Sequence, residues 1–224
     1  MPCVSRRARM TRMRITVKVL HINASSRGEN SQSLAVARRL IAELAKSKPI
    51  AVDELDLFDC NLPPFDAAAV GAKMALFTGT EADSEQKRAW AKVKAVFDRF
   101  AAADLYVFNV PLWNNGIPYI LKQFIDIVTQ PGWAFGFDPA SGYCGLLPNR
   151  RACIVHASGV YHGGIAANFG SDFATPYLED WLRFIGVEAI DHIHVAPTVV
   201  NADFAKTKAE AEATAEALAR TLAA

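Results

Sequence analysis

The sequence has no CxxC pair and no cysteine–histidine spacing of the zinc type; its four cysteines, Cys3, Cys60, Cys144 and Cys153, are scattered along 224 residues. That pattern argues against a disulfide framework or a metal site and for a reducing compartment. No apolar run approaches the roughly 18–20 residues that span a bilayer, so no membrane partner is expected. Charge of one sign is scarce too: 24 Lys and Arg stand against 23 Asp and Glu. Such a balance reads as a soluble globular protein, and no nucleic-acid partner is expected. A cytoplasmic protein is the expectation these absences leave.

What is present is a large apolar fraction, 51% of residues, in a chain long enough to bury one sizeable core. The exception to the balanced charge is the start. Arg6, Arg7, Arg9, Arg12 and Arg14 form a basic arm without acids, and removing it takes the net charge from +1 to −4. A basic arm can hold nucleic acid, and an Arg-rich, acid-poor start can be a targeting peptide. This arm is short and no apolar segment of the secretory kind follows it, so residues 1–14 are expected to be a disordered basic arm and 15–224 a single domain.

Beyond the arm, strand-like and helix-like segments alternate. Ile15 to Ile22, Ile50 to Phe58, Leu105 to Val110, Arg151 to His156 and Ala189 to Val195 read as strands. Ser31 to Lys46, with Leu34, Ala37, Ile41 and Leu44 on one face, reads as a helix. So do Asp83 to Ala102, Ile117 to Thr129, Asp172 to Ile185 and Phe204 to Leu222. Asp83 and Gln86 stand three apart, the spacing of a reciprocal N-cap. A loop holding Pro63, Pro64 and Gly71 is expected between the second strand and the Asp83 helix. Strands that are almost continuously apolar belong in a parallel sheet covered on both faces. The dinucleotide-binding strand order needs G-x-G-x-x-G after the first strand, yet that loop, Asn23 to Ser33, has Gly28 as its one glycine. A flavodoxin-like doubly wound α/β fold with five strands in the order 2-1-3-4-5 is therefore predicted.

In such sheets ligands bind beyond the carboxyl ends of the strands, and three loops fall there. The first carries Ser25, Ser31, Gln32 and Ser33 at a helix start, where unpaired N–H groups and the helix dipole suit a phosphate. Arg27 would neutralise part of the anion. An ordinary alternative is that Ser31 or Ser33 only caps its own helix. The second loop follows Pro111 with Leu112, Trp113, Asn114 and Asn115: a flat aromatic, two amides and exposed backbone that suit a planar heterocycle such as a flavin. Asn and Gly also supply plain turn geometry. The third runs from His156 through Ser158, Gly159, Val160, Tyr161 and His162, with small residues that let backbone N–H groups approach a ring edge. His192 and His194, two apart in a strand, share one face, but no carboxylate or cysteine pattern completes a metal site.

At these residues the chain resembles the FMN-dependent azoreductases and related NAD(P)H:quinone reductases. The resemblance rests on S-x5-S-Q-S at Ser25 to Ser33 and P-x-W-N-x-x-I-P-x-x-L-K-x-x-I-D at Pro111 to Asp126. It continues in G-x-A-F and G-x-x-G-L-L between Gly132 and Leu147, T-P-Y-L at Thr175 to Leu178, and F-I-G at Phe184 to Gly186. By position, the resemblance implies that Ser25, Ser31, Gln32 and Ser33 contact the phosphate and ribityl side of FMN. It implies that Pro111 to Asn115 hold the isoalloxazine, that Ser158 to Tyr161 meet its polar edge, and that Phe137 and Phe184 wall a substrate pocket. The family's Ser-Arg-Gly-Gly is Ser158-Gly159-Val160-Tyr161 here. An arginine near the pocket of some members has only Lys73 or Met74 near its place.

The implied chemistry needs no protein nucleophile: a hydride arrives from NADH or NADPH, and two electrons leave to a quinone or azo acceptor in a second half-reaction. Tyr161 and His162 are candidates for proton assistance. The Trp133 to Pro148 segment is long and aromatic for a connection, which suggests a two-fold homodimer whose pockets are completed across the interface. The alternatives are a flavodoxin-type electron carrier and a non-catalytic flavin-binding regulator. Carriers are small and strongly acidic, which this chain is not.

Overall fold

The computed structural model describes residues 16–223; the basic arm expected over 1–14 lies outside them. The chain runs β1 (Val17–Asn23), α1 (Gln32–Ser47), β2 (Ile50–Asp56), α2 (Ala67–Thr78), α3 (Ser84–Ala101), β3 (Leu105–Pro111) and α4 (Tyr119–Val128). It continues with β4 (Phe135–Asp138), β5 (Gly142–Gly145), β6 (Arg151–Ala157), α5 (Ala174–Phe184), β7 (Ala189–Val195) and α6 (Phe204–Ala223).

Five strands form one parallel sheet in the order β2-β1-β3-β6-β7. Counting only its members, that is 2-1-3-4-5, the flavodoxin-like order expected. Alternation along each strand feeds two cores. Leu20, Ile22, Tyr106, Phe108 and Ile154 point to the side of α3, α4 and α5. Val19, Val107, Cys153, Val155 and Ile193 point to α1 and α6. Because both faces are covered, the central strands lose their polar alternation and read as apolar runs.

Two connections differ from the sequence expectation. The stretch after Pro63 and Pro64 is not all loop: α2 occupies Ala67–Thr78. Asp66 caps it, its Oδ1 accepting from Ala68 N at 3.1 Å and Ala69 N at 3.2 Å, and Gly79 ends it in the left-handed region at φ 66°. Gly71, read as a loop residue, lies inside this helix and faces Gln86 of α3; a Cβ there would stand 2.6 Å from Gln86 Nε2, the end of a side chain that can swing aside. Second, the Trp133 to Pro148 segment folds into an antiparallel hairpin of β4 and β5, pairing Phe137 with Tyr143. The Asp83–Gln86 capping box forms as expected.

Candidate functional site

Beneath the first loop lies a buried polar strip. His21 Nε2 is 2.9 Å from Asn109 Oδ1, and Asn109 Nδ2 donates to Asn23 Oδ1 at 2.6 Å. Asn23 Oδ1 also accepts from Ser25 N at 3.0 Å, and Asn23 Nδ2 donates to Asp56 Oδ2 at 2.5 Å. A satisfied network of this kind fixes the backbone leaving β1. It was not singled out in the sequence, although Asn23 and Asn109 interrupt otherwise apolar runs at the carboxyl ends of adjacent strands.

The strip positions a serine-rich helix start. Ser31 caps α1, its Oγ accepting from Leu34 N at 3.2 Å and lying 3.3 Å from Ser33 Oγ. The capping role therefore holds, and it does not exhaust the loop. The cap leaves the Gln32 and Ser33 N–H groups as first-turn donors without an intrahelical acceptor, and Gln32 Oε1 is buried without a partner. Ser25, Arg27, Ser31, Gln32 and Ser33 line a cleft of about 190 Å³ together with Pro111, Leu112, Trp113, Ser158 and Gly159. The three predicted loops thus converge on one space.

The tryptophan loop is a tight reversal. Trp113 and Gly116 exchange two backbone hydrogen bonds of 2.9 Å, with Asn114 at φ 49° and Asn115 at φ 65°. Consecutive positive φ values are what asparagine tolerates better than most residues. Both asparagines therefore shape the turn, and neither lines the cleft; Asn115 O instead accepts from Phe173 N at 2.8 Å. The Trp113 ring is braced by Phe58, with centroids 5.9 Å apart, and by Tyr119 at 6.4 Å. Leu112 N donates to Ala157 O at 2.8 Å, tying this loop to the one after β6.

That third loop is pinned by Ser158 Oγ, which donates to Tyr161 O. Thr198 N and Val199 N donate to the carbonyls of Ser158 and Gly159 at 2.9 and 2.8 Å. Thr198 and Val199 line the cleft and were missed, though the segment after the last strand must emerge at the same sheet edge. A second cleft of about 390 Å³ opens beside the first, sharing Leu112, Ala157 and Ser158. Tyr161 and His162 line it, as do His156, His194 and Asp172. Val160 lines neither. Phe137 and Phe184 gather elsewhere, around Tyr143 on the hairpin, with centroids 4.9 and 5.4 Å from its ring. Within one chain they do not reach the clefts.

The donor set suits a sugar phosphate: neutral hydroxyls and amides at a helix N-terminus, one arginine, and a braced aromatic at the other end. In the second cleft, burial lowers the His194 imidazole, and burial together with the neighbouring histidines drives His156 down to about 3. Burial also lowers His21. The sign follows directly: the unfolded chain takes up protons near pH 6.5 while folded His156 refuses them. Stability should fall as pH drops below about 6.5, by roughly 1.4 kcal/mol per pH unit for His156, and the lowered His21 acts in the same direction. Urea unfolding at pH 7 and pH 5 checks this; equal stability at the two values would refute it.

These features define a doubly wound α/β protein of the flavodoxin-like class with a cofactor-sized trough at its sheet edge. A family model described as flavodoxin-like fold matches residues 17–219. An FMN-dependent NADH:quinone oxidoreductase of Ruegeria pomeroyi is 45% identical over 187 residues, covering 83% of this chain and 92% of the relative. FMN-dependent NADH:quinone oxidoreductase 3 of Pseudomonas fluorescens is 37% identical over 211 residues, 92% and 98% of the two chains. An FMN-dependent NADH-azoreductase of Bacillus anthracis, solved in complex with FMN, shares the fold with TM-score 0.83 at 23% identity, covering 93% of this chain and all of that one. The chain belongs to the flavodoxin-like family of FMN-dependent NADH:quinone oxidoreductases.

Proposed function

We propose that this protein is an FMN-dependent oxidoreductase that takes electrons from NADH and reduces quinones or azo compounds in two-electron steps. The observation that carries the reading is the convergence of the serine-rich helix start, the Trp113 loop and the Ser158 loop on one trough. Ser25, Ser31, Gln32 and Ser33 would hold the phosphate and ribityl end, with the first-turn N–H groups of α1 stabilising the anion. Pro111, Leu112 and Trp113 would flank the ring, with Asn114 and Asn115 setting the turn that presents them. Ser158 to Tyr161 would meet the ring's polar edge. Bound there, FMN supplies hydride and electron chemistry; the chain binds it, orients it and shapes the adjoining 390 Å³ cleft for donor and acceptor. Tyr161 and His162 stand in that cleft for proton assistance.

The relatives' names favour an enzyme over an electron carrier or a regulator. Turnover tests it. With NADH, the protein should reduce menadione or an azo dye with parallel double-reciprocal lines, the signature of donor and acceptor taking turns at one site. Intersecting lines would contradict the shared cleft, and absence of turnover with both nicotinamides would contradict the enzyme. NADPH is the second donor to compare.

A homodimer and a cytoplasmic location complete the reading. Exposed Phe77, Phe137 and Tyr143 give α2 and the hairpin apolar faces suited to a partner subunit. There Phe137 and Phe184 would wall the neighbour's pocket. Sedimentation at micromolar concentration should give a dimer, against which a stable monomer would count. Among the described residues no helix is long and apolar enough to cross a membrane, and cell fractionation tests the location.

A further inference from the structure

The two clefts carry charges of opposite sign. Among the described residues that line the first, Arg27 alone is charged, at the end assigned above to a phosphate. The second has a different lining. On the sheet, His156 stacks in a row with His192 and His194, whose ring centroids are 5.3 and 5.0 Å from its own, and its Nε2 lies 3.1 Å from His192 Nδ1. His156 and His194 of this row line the cleft, and burial favours the uncharged form of both. Among the described lining residues Asp172 is the one acid, and no lysine or arginine joins it. Its carboxylate is held in place. Oδ1 accepts from Ala174 N and Thr175 N, both at 2.9 Å, and Oδ2 accepts from Thr175 Oγ1 at 2.6 Å. Partial burial opposes the charge, yet the hydrogen bonds from Thr175 and Ala174 outweigh it and hold the carboxyl below the ordinary carboxylate range. Capping α5 does not call for that charge, because asparagine or serine caps a helix about as well.

We propose that Asp172 makes the second cleft select acceptors by charge, admitting neutral or cationic quinones and azo compounds and turning away those that bear a sulfonate or carboxylate. The proposal rests on the reading of that cleft given above. An anion that enters gives up hydration and meets a fixed carboxylate of its own sign, with no cationic side chain in the described lining to compensate. A neutral quinone gives up far less, and its carbonyl oxygens can accept from an uncharged imidazole N–H. A repulsive group set against the unwanted ligand is a general means of discrimination. The positive end of the α5 dipole offsets part of the field, but that end amounts to roughly half a charge, so the wall stays negative. The nicotinamide ring of the donor carries no negative charge and is not opposed.

Asp172→Asn removes the charge and keeps an oxygen for the two N–H groups of α5. At pH 8, above the ordinary imidazole value of about 6.5, the FMN-loaded, NADH-reduced protein is mixed rapidly with naphthoquinone or with naphthoquinone sulfonate. The sulfonate rate divided by the naphthoquinone rate is expected to rise about tenfold from parent protein to variant, the modest end of the range for two unit charges a few ångströms apart. Comparing the same two acceptors in both proteins cancels their different reduction potentials. A ratio that stays the same or falls overturns the proposal. A second readout needs neither turnover nor cofactor: calorimetric binding of naphthamide and naphthoate, which match in shape and differ by one charge, to the protein as purified. The parent protein should bind the amide about tenfold more tightly, and the variant should bring the two affinities together. Equal affinities or a preference for naphthoate in the parent protein, a preference that Asp172→Asn leaves in place, or no binding of either ligand overturns the proposal. A protein that binds no FMN would count against the proposed function, while charge selection is still decided by this pair.

Discussion

Exchanging Gln32 for glutamate is expected to weaken FMN binding by about 100-fold or more, while the unliganded fold stays intact. Gln32 opens α1, lines the serine cleft and has a buried, unpartnered side-chain oxygen. Glutamate has the same shape but places a negative charge where the phosphate would sit. Two unit charges about 4 Å apart repel by roughly 4 kcal/mol at an effective dielectric of about 20. A carboxylate in the first turn of a helix is otherwise favourable, by about 0.3–1 kcal/mol, which offsets part of the cost of charging a buried oxygen, so circular dichroism of the unliganded variant should still show the parent fold. Fluorescence titration with FMN and with riboflavin separates the causes. The variant should lose affinity for FMN and keep its affinity for riboflavin, which lacks the phosphate. An equal loss for both ligands would move the phosphate seat elsewhere.

The second large effect is at the hairpin. Gly145→Ala should destabilise the protein by about 2–4 kcal/mol and make the β4–β5 segment sensitive to proteolysis. A Cβ at Gly145 would lie 2.1 Å from Gly186 N and 2.3 Å from the Ile185 carbonyl carbon. Both are backbone atoms that cannot rotate away. The same contact seats Leu147, whose N–H donates to Ile185 O at 2.9 Å. Gly142→Ala, at φ +86° in open space, meets only a conformational penalty of about 1–2 kcal/mol. Thermal unfolding of the two variants compares them directly. Equal losses would show that backbone crowding at Gly145 is not what holds the hairpin down.

These glycines show what could be read from the chain and what could not. The motifs around Gly145 and Gly186 were visible as patterns, yet their cause is a backbone contact between segments distant in sequence. The sheet order was legible because apolar strands, helical periodicity and the lone Gly28 each removed alternatives. Helix α2 was not, since Pro63, Pro64 and Gly71 are local breakers and the packing of α2 against α3 is tertiary. The serine loop and Trp113 were legible because a helix start and a strand end fix where their residues emerge. Asn114 and Asn115 were read for their amides, whereas their positive φ values are the part they play in the turn. The His156–His192 row was hidden because it depends on strand register: Ile154 pairs with His192 and His156 with His194. No spacing within either strand reveals that.

The most direct test is to purify the protein, record its visible spectrum, release any chromophore and weigh it. Convergence of the three loops on one trough predicts a yellow protein carrying one FMN per chain, or an apoprotein that takes up FMN at that ratio. A colourless chain that refuses added FMN would contradict it.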